Sequence, residues 1–332
     1  MKTHGVPLHL QLQPAPTVGD STMNIRHMLV VVDPSTEDKQ PCLERAANLC
    51  RHYPQARLTL LACDYVPALD GGALFESTGL EKARASLLKH NRELLNKLAE
   101  PLRAKGIEVE VDSVWGKRLD RHILQAAQKW QPDLVIKTTH HHNPLKRLFL
   151  TNTDWQLIRH CEAPLWLVKR GEQSITQICA AVDPLHVDDK PASLDLKLIS
   201  DAKTLAEETG ASLNLVHCYN PLPRTMVIDA TLVVDYQGYA DDVKKHHAEA
   251  LAELLKRANA DNAQHQLLEG YPEEAIPNMI EKQGINLLVM GAISRSRLQS
   301  ALIGHTAERL LDEVSCDLLI IKPDGFSDPS KP

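Results

Sequence analysis

The sequence contains no C-x-x-C pair. Its seven cysteines (Cys42, Cys50, Cys63, Cys161, Cys179, Cys218 and Cys316) are odd in number and scattered. Cys63, Cys179 and Cys218 fall inside apolar, strand-like runs, where a thiol serves as small core filler. This favours reduced thiols in a cytoplasmic compartment over a disulfide framework. No apolar run approaches the roughly 18 residues that a membrane helix needs, so no membrane span is expected. The first stretch, MKTHGVPLHLQLQPAPTVGDST, lacks the unbroken apolar core of a secretion signal. Residues 1–24 read as a disordered leader, or as sequence upstream of a start at Met23. There is no basic excess either: 37 Lys and Arg stand against 43 Asp and Glu, a net charge of −6. A nucleic-acid-binding body normally carries a basic face, so nucleic acid is excluded as a partner. G-x-S-x-G, H-E-x-x-H and the lysine-bearing phosphate loop are all missing, so no enzyme class follows and the expectation is a non-enzyme.

What the chain does have is a repeat. At 332 residues it is comfortable for two domains of about 150 residues each. Hydrophobic content of 43% with 24% charged residues is that of an ordinary folded chain. Arg26–Asp33, RHMLVVVD, is an apolar run stopped at Asp33-Pro34. A helical pattern (37–52), a strand (56–65), a long helix (78–105) ended by Gly106, and a strand (107–115) follow. A helix (117–130), a strand (132–137), a helix (149–161) and the final strand PLWLVK (164–169) complete the set. The pattern then restarts. ICAAVDP repeats VVVDP, with Asp183 lying 150 residues after Asp33, and DLLIIK (317–322) matches PLWLVK. Continuous apolar strands alternating with helices predict a parallel sheet covered on both faces, so each copy reads as a doubly wound α/β domain. The expected boundaries are 25–170 and 175–323, joined by the polar linker RGEQS and followed by a flexible tail at 324–332. Two tied copies would form an intrachain pseudo-dimer; a further homodimer is left open.

One stretch of the second copy has the chemistry of an anion site. Asn286–Thr306, NLLVMGAISRSRLQSALIGHT, opens as a strand, breaks at Gly291 and crosses the basic loop Ser294-Arg295-Ser296-Arg297. It then reaches Gly304 and the helical run that begins near His305 and Thr306. A strand, a loop and a helix N-terminus together aim unpaired N–H groups and a positive dipole end into one space. Arg295 and Arg297 add groups that pair with phosphate oxygens.

The V-D-P strand end, the terminal strand lysines and the segment GAIS…LIGHTAERLL together resemble the universal stress protein family. The two-copy layout is similar to its tandem E-type members over about residues 25–323. The resemblance implies a five-stranded parallel sheet per copy in the order 3-2-1-4-5, association through the fifth strands, and a cytoplasmic stress-response role. The family's ATP-binding members carry Gly-x2-Gly-x9-Gly followed by Ser or Thr. The second copy retains Gly291, has Ser294 for the second glycine, and keeps Gly304. His305 stands where the hydroxyl belongs, with Thr306 one place late. The resemblance thus makes an adenine nucleotide, ATP foremost, the candidate ligand of the second copy. Asp183, Gly291, Ser294, Arg295, Gly304, His305 and Thr306 would be its site. The cofactor itself stays unassigned. The first copy departs further, with Thr138, His141 and Thr151 at the three glycine positions.

Three other constellations are weighed. His140-His141-His142 could offer imidazoles to zinc or copper, but adjacent residues converge poorly and no nearby Cys, Asp or Glu completes a set, so a solvated basic loop is the simpler account. His246-His247, beside Asp241, Asp242 and Glu249, reads as a solvated helix face. Asp33 and Asp183 end the first strand of each copy, where an acidic side chain either serves a turn or reaches a ligand at the sheet's carboxyl edge. The function read from the sequence is a ligand- or partner-binding regulatory module. A slow ATPase switch and a carrier of an apolar or lipid-like molecule are the alternatives.

Overall fold

The computed structural model describes residues 23–36, 39–70, 77–139, 150–169, 174–185, 193–221, 236–292, 303 and 305–328. The first copy comprises β1 (His27–Val32), α1 (Pro41–Cys50), β2 (Arg57–Asp64), α2 (Ser77–Arg103) and β3 (Val109–Trp115). It continues with α3 (Leu119–Trp130), β4 (Leu134–Thr138), α4 (Asn152–His160) and β5 (Leu165–Val168). The second repeats the series as β6 (Gln177–Ala181), α5 (Ser193–Thr209), β7 (Ser212–Tyr219), α6 (Tyr236–Arg257) and β8 (Gln264–Glu269). It ends with α7 (Pro272–Gln283), β9 (Leu287–Gly291), α8 (His305–Glu313) and β10 (Asp317–Ile321).

The strands form one ten-stranded sheet in the order β3-β2-β1-β4-β5-β10-β9-β6-β7-β8. Within each copy the local order is 3-2-1-4-5 and every pairing is parallel. The copies meet at their fifth strands, which pair antiparallel with Leu167 opposite Leu318 and Trp166 opposite Leu319. Strand residues alternate between two buried faces, which explains the unbroken apolar runs. Met28, Val30 and Val32 pack under α1 and α2 in a core that extends to α5 and α6 of the second copy, while Leu29 and Val31 face the opposite core beneath α3, α4, α7 and α8. The register is pinned by matching side chains. Asp133 accepts from the N–H groups of Arg26 and His27 at 2.8 and 2.9 Å, and Asn286 accepts from Thr176 and Gln177 at 3.0 and 2.9 Å.

The seam between copies carries buried charge. Asp317, fully buried, accepts from Arg45 Nε at 3.1 Å, Trp166 Nε1 at 3.1 Å and the Lys169 N–H at 2.8 Å. The two strand-ending lysines cross the seam reciprocally. Lys169 donates to the carbonyls of Leu311 and Val314 at 3.1 and 2.6 Å, closing α8; Lys322 donates to those of Cys161 and Arg159 at 3.0 and 3.4 Å, closing α4. A cation at a helix C-terminus satisfies carbonyls that the helix leaves unpaired. Past β10 the chain reaches Asp328, which is buried against the first copy, its N–H on Glu162 and its carboxylate 2.8 Å from His160 Nδ1.

Candidate functional site

In a doubly wound sheet, ligands bind outside the carboxyl ends of the strands where strand order reverses. That point falls between β1 and β4 in the first copy and between β6 and β9 in the second.

In the second copy the crevice is bounded by the residues after β6 and by the end of β9. Asp183 sits just past β6 with its side chain 56% exposed, and its N–H donates to Asp195 of α5 at 3.0 Å. Gly291 is the last residue of β9, on the strand beside β6. A Cβ at Gly291 would lie 2.7 Å from Leu194 Cδ2, so the bare glycine backbone is what lets the first turn of α5 pack down on β9. Asp183 and Gly291 thus lie at the same edge of the sheet, at the ends of the paired strands β6 and β9. His305 opens α8 and Thr306 is exposed in its first turn. Ser294, Arg295, Arg297 and Gly304 lie outside the described residues.

A histidine pair completes the rim. His217, on β7 and 3% exposed, has Nδ1 3.1 Å from the Val182 carbonyl and Nε2 2.7 Å from Nδ1 of His247 on α6. The same Nδ1 lies 3.9 Å from the Asp183 carboxylate. Burial holds the imidazole of His217 below its ordinary pKa, opposed by Asp183 and the Val182 carbonyl. Tyr219, two residues on, packs 5.8 Å from the His247 ring and donates to Glu269 at 3.1 Å. Cys218 between them is no nucleophile: burial, then Asp183 and Glu273, push its thiol up to about 12.

The first copy fills its own crevice. Thr138 stands where the second copy has Gly291, and its hydroxyl accepts from the Cys42 N–H at 3.0 Å, taking up a donor at the N-terminus of α1. Asp33 spends its carboxylate on a turn, accepting from Ser35 N–H and Oγ at 2.9 and 2.8 Å. Lys137 and Asp154 form a buried ion pair at 2.8 Å, and Thr151 caps α4 in a reciprocal box with Asp154. His140, His141 and His142 lie outside the described residues.

By sequence, His246 and His247 are expected to share one solvated helix face. His246 is exposed, but His247 turns inward and is half-buried. The signal was legible: His247, Leu251, Leu254 and Leu255 share the i, i+4, i+7, i+8 spacing of one helix stripe, and the three leucines are buried. His217 was hidden because a strand alternation does not tell which polar residue faces a helix.

A model of the universal stress protein family matches residues 24–169 and again 177–322. The chain belongs to that family. Universal stress protein E of Photorhabdus laumondii subsp. laumondii is 30% identical over 315 residues, spanning 93% of this chain and 98% of the relative. Universal stress protein E of Escherichia coli K12 is 29% identical over 317 residues, spanning 92% and 96%. Among solved structures, a universal stress protein from Pseudomonas aeruginosa UCBPP-PA14 is 28% identical, with a TM-score of 0.68 over 92% of this chain and 95% of that one. The chain is thus a tandem member of the E type, and the expected α/β architecture and family resemblance both hold. Among the described residues no helix is long and apolar enough to cross a membrane.

Proposed function

We propose that this tandem stress protein is a non-catalytic regulatory module that binds an adenine nucleotide in its second domain, at the crevice between β6 and β9. The observation that carries this reading is the contrast between Asp33 and Asp183. The first carboxylate is consumed by Ser35 in its own turn, whereas the second stands exposed at the crevice beside a glycine-ended strand. In the family's nucleotide-binding members the matching aspartate lies in the pocket, and the basic loop Ser294–Arg297 supplies charge for phosphates. The domains taken as functional units are 25–170 and 175–323, the first serving as a structural partner of the second. A cytoplasmic site of action is consistent with seven free cysteines, six of them buried.

The test is calorimetric titration with ATP, ADP and AMP, with and without Mg²⁺, on wild type and Asp183→Ala. Binding by wild type that weakens at least tenfold in the variant supports the reading. No heat at millimolar nucleotide, or equal binding by both proteins, refutes it.

A further inference from the structure

The His217–His247 contact joins a buried strand residue to the less anchored part of a helix. Leu251, Leu254 and Leu255 bury the second half of α6 at about 2% exposure each. Among the described residues of α6, none before Leu251 is buried, and Asp241, Asp242, Lys244, Lys245 and His246 are exposed. Among the described side chains here, half-buried Ala240 and Val243 add apolar contact, and His247 supplies a hydrogen bond to the sheet, meeting His217 at 2.7 Å with the rings stacked 5.0 Å apart at 25°.

Proton placement in this pair is constrained. The Val182 carbonyl can only accept, so Nδ1 of His217 carries the hydrogen and its Nε2 is the acceptor. His247 Nδ1 must then donate, which leaves Nε2 of His247 as the open site for a proton. A proton there leaves the bond in place; only a second proton, on His217 Nε2, sets two N–H groups against each other across 2.7 Å and breaks it. Among the described residues, the groups facing the pair are these. Asp183 at the end of β6 favours protonation; His246 on α6 opposes it; Glu269 on β8 reaches it only through the Tyr219 hydroxyl. Cys218 and Glu273 lie toward the core on the other face of β7. Neither imidazole has a carboxylate within hydrogen-bonding distance among these contacts, so an added charge is poorly compensated.

We propose that the His217–His247 pair is a proton-operated latch that holds the first three turns of α6 against the second domain while His217 Nε2 is unprotonated and releases them when acidification protonates both rings. Burial lowers the affinity of both rings for protons, and His217 and His246 lower that of His247 further. A group whose folded-state pKa is depressed binds more protons when released, so falling pH through and below the ordinary imidazole range favours the open helix. The latch lies at the carboxyl rim of the second domain, next to Asp183, so its opening would alter access to that crevice. The proposal itself requires no ligand.

Hydrogen exchange on the full chain, corrected for intrinsic rates, tests it. Protection of amides 240–246 should fall about tenfold or more between pH 7.5 and pH 5, while Leu251–Arg257 stays protected, since a released imidazole of ordinary pKa, about 6.5, is protonated about thirty to one at pH 5 and the latched His217 Nε2 is not. His247→Gln keeps a neutral donor and should flatten the response, whereas His265→Gln, on an exposed strand position, should leave it as in wild type. An equal loss in wild type and His247→Gln, or no loss in wild type, overturns the latch. Should His247→Gln fail to fold, imidazole ¹⁵N titration of wild type decides. Coupled protonation below the ordinary range supports the proposal, and two independent midpoints at the ordinary value overturn it.

Discussion

Asp317 and Arg45 form a buried ion pair across the seam, Arg45 Nη2 lying 3.0 Å from the carboxylate with both side chains at most 2% exposed. Trp166 Nε1 shares the same oxygen. A buried charge stripped of its partner is costly, so Asp317→Ala should lower unfolding free energy by about 3–5 kcal/mol. Arg45→Met with Asp317→Leu should recover much of the loss, because apolar replacement of a whole buried pair is close to neutral. Denaturant unfolding of the three proteins checks this. A single variant within 1 kcal/mol of wild type would mean that the pair does not hold the two copies together.

Lys169 gives the seam a pH dependence. Burial is the main cause that brings its pKa down to about 8, against the opposing pull of Cys316, Asp312 and Asp317. Between pH 8 and the ordinary lysine value the unfolded chain binds a proton that the folded chain has lost. Stability from this group therefore rises with pH across that window and is lowest below it. Relative to Lys169→Met, wild type should gain up to about 3 kcal/mol over pH 8–10.5. Parallel stability profiles of the two proteins would contradict the assignment.

The Lys137–Asp154 pair should behave as a unit. The second copy carries Met290 and Ala307 at the matching positions. Lys137→Met alone leaves Asp154 buried with Thr151 as its remaining partner among the described residues, and should cost about 3 kcal/mol; Lys137→Met with Asp154→Ala should cost much less. Additive losses in a double-mutant cycle would show that the pair is not coupled.

Two equivalent helix ends differ in one residue. Gly284 ends α7 at φ 66°, while Gln131 ends α3 at φ 45°. A side chain is strained in this left-handed region, so Gln131→Gly should stabilise by about 0.5–1 kcal/mol and Gly284→Ala should destabilise by a similar amount. Thermal unfolding reads both. Loss of stability in Gln131→Gly would mean that the glutamine side chain contributes more than the strain costs.

Much of this architecture was legible because burial on both faces leaves a plain mark. VVVDP and AAVDP announced the first strands, and PLWLVK and DLLIIK the last. What the fold did with the final lysines was not legible. Lys169 and Lys322 look like strand ends in sequence, and their carbonyl partners on the opposite copy exist only once β5 and β10 pair antiparallel. Asp183 and Gly291 were readable as candidates, because local pattern marks them as strand ends. The occupation of the first crevice by Thr138 and Cys42 was not, because that bond spans 96 residues. His247's place on the buried stripe of α6 was legible, but its meeting with His217 was not, because that depends on how α6 lies across β7, which neither segment encodes alone.

Two copies of one fold are here proposed to be functionally unequal. Equilibrium dialysis of the intact chain against radiolabelled ATP, beside Asp33→Ala and Asp183→Ala, measures that inequality most directly. The expected result is one nucleotide per chain at saturation, unchanged in Asp33→Ala and lost in Asp183→Ala. Two nucleotides per chain, or loss in Asp33→Ala with retention in Asp183→Ala, would contradict it.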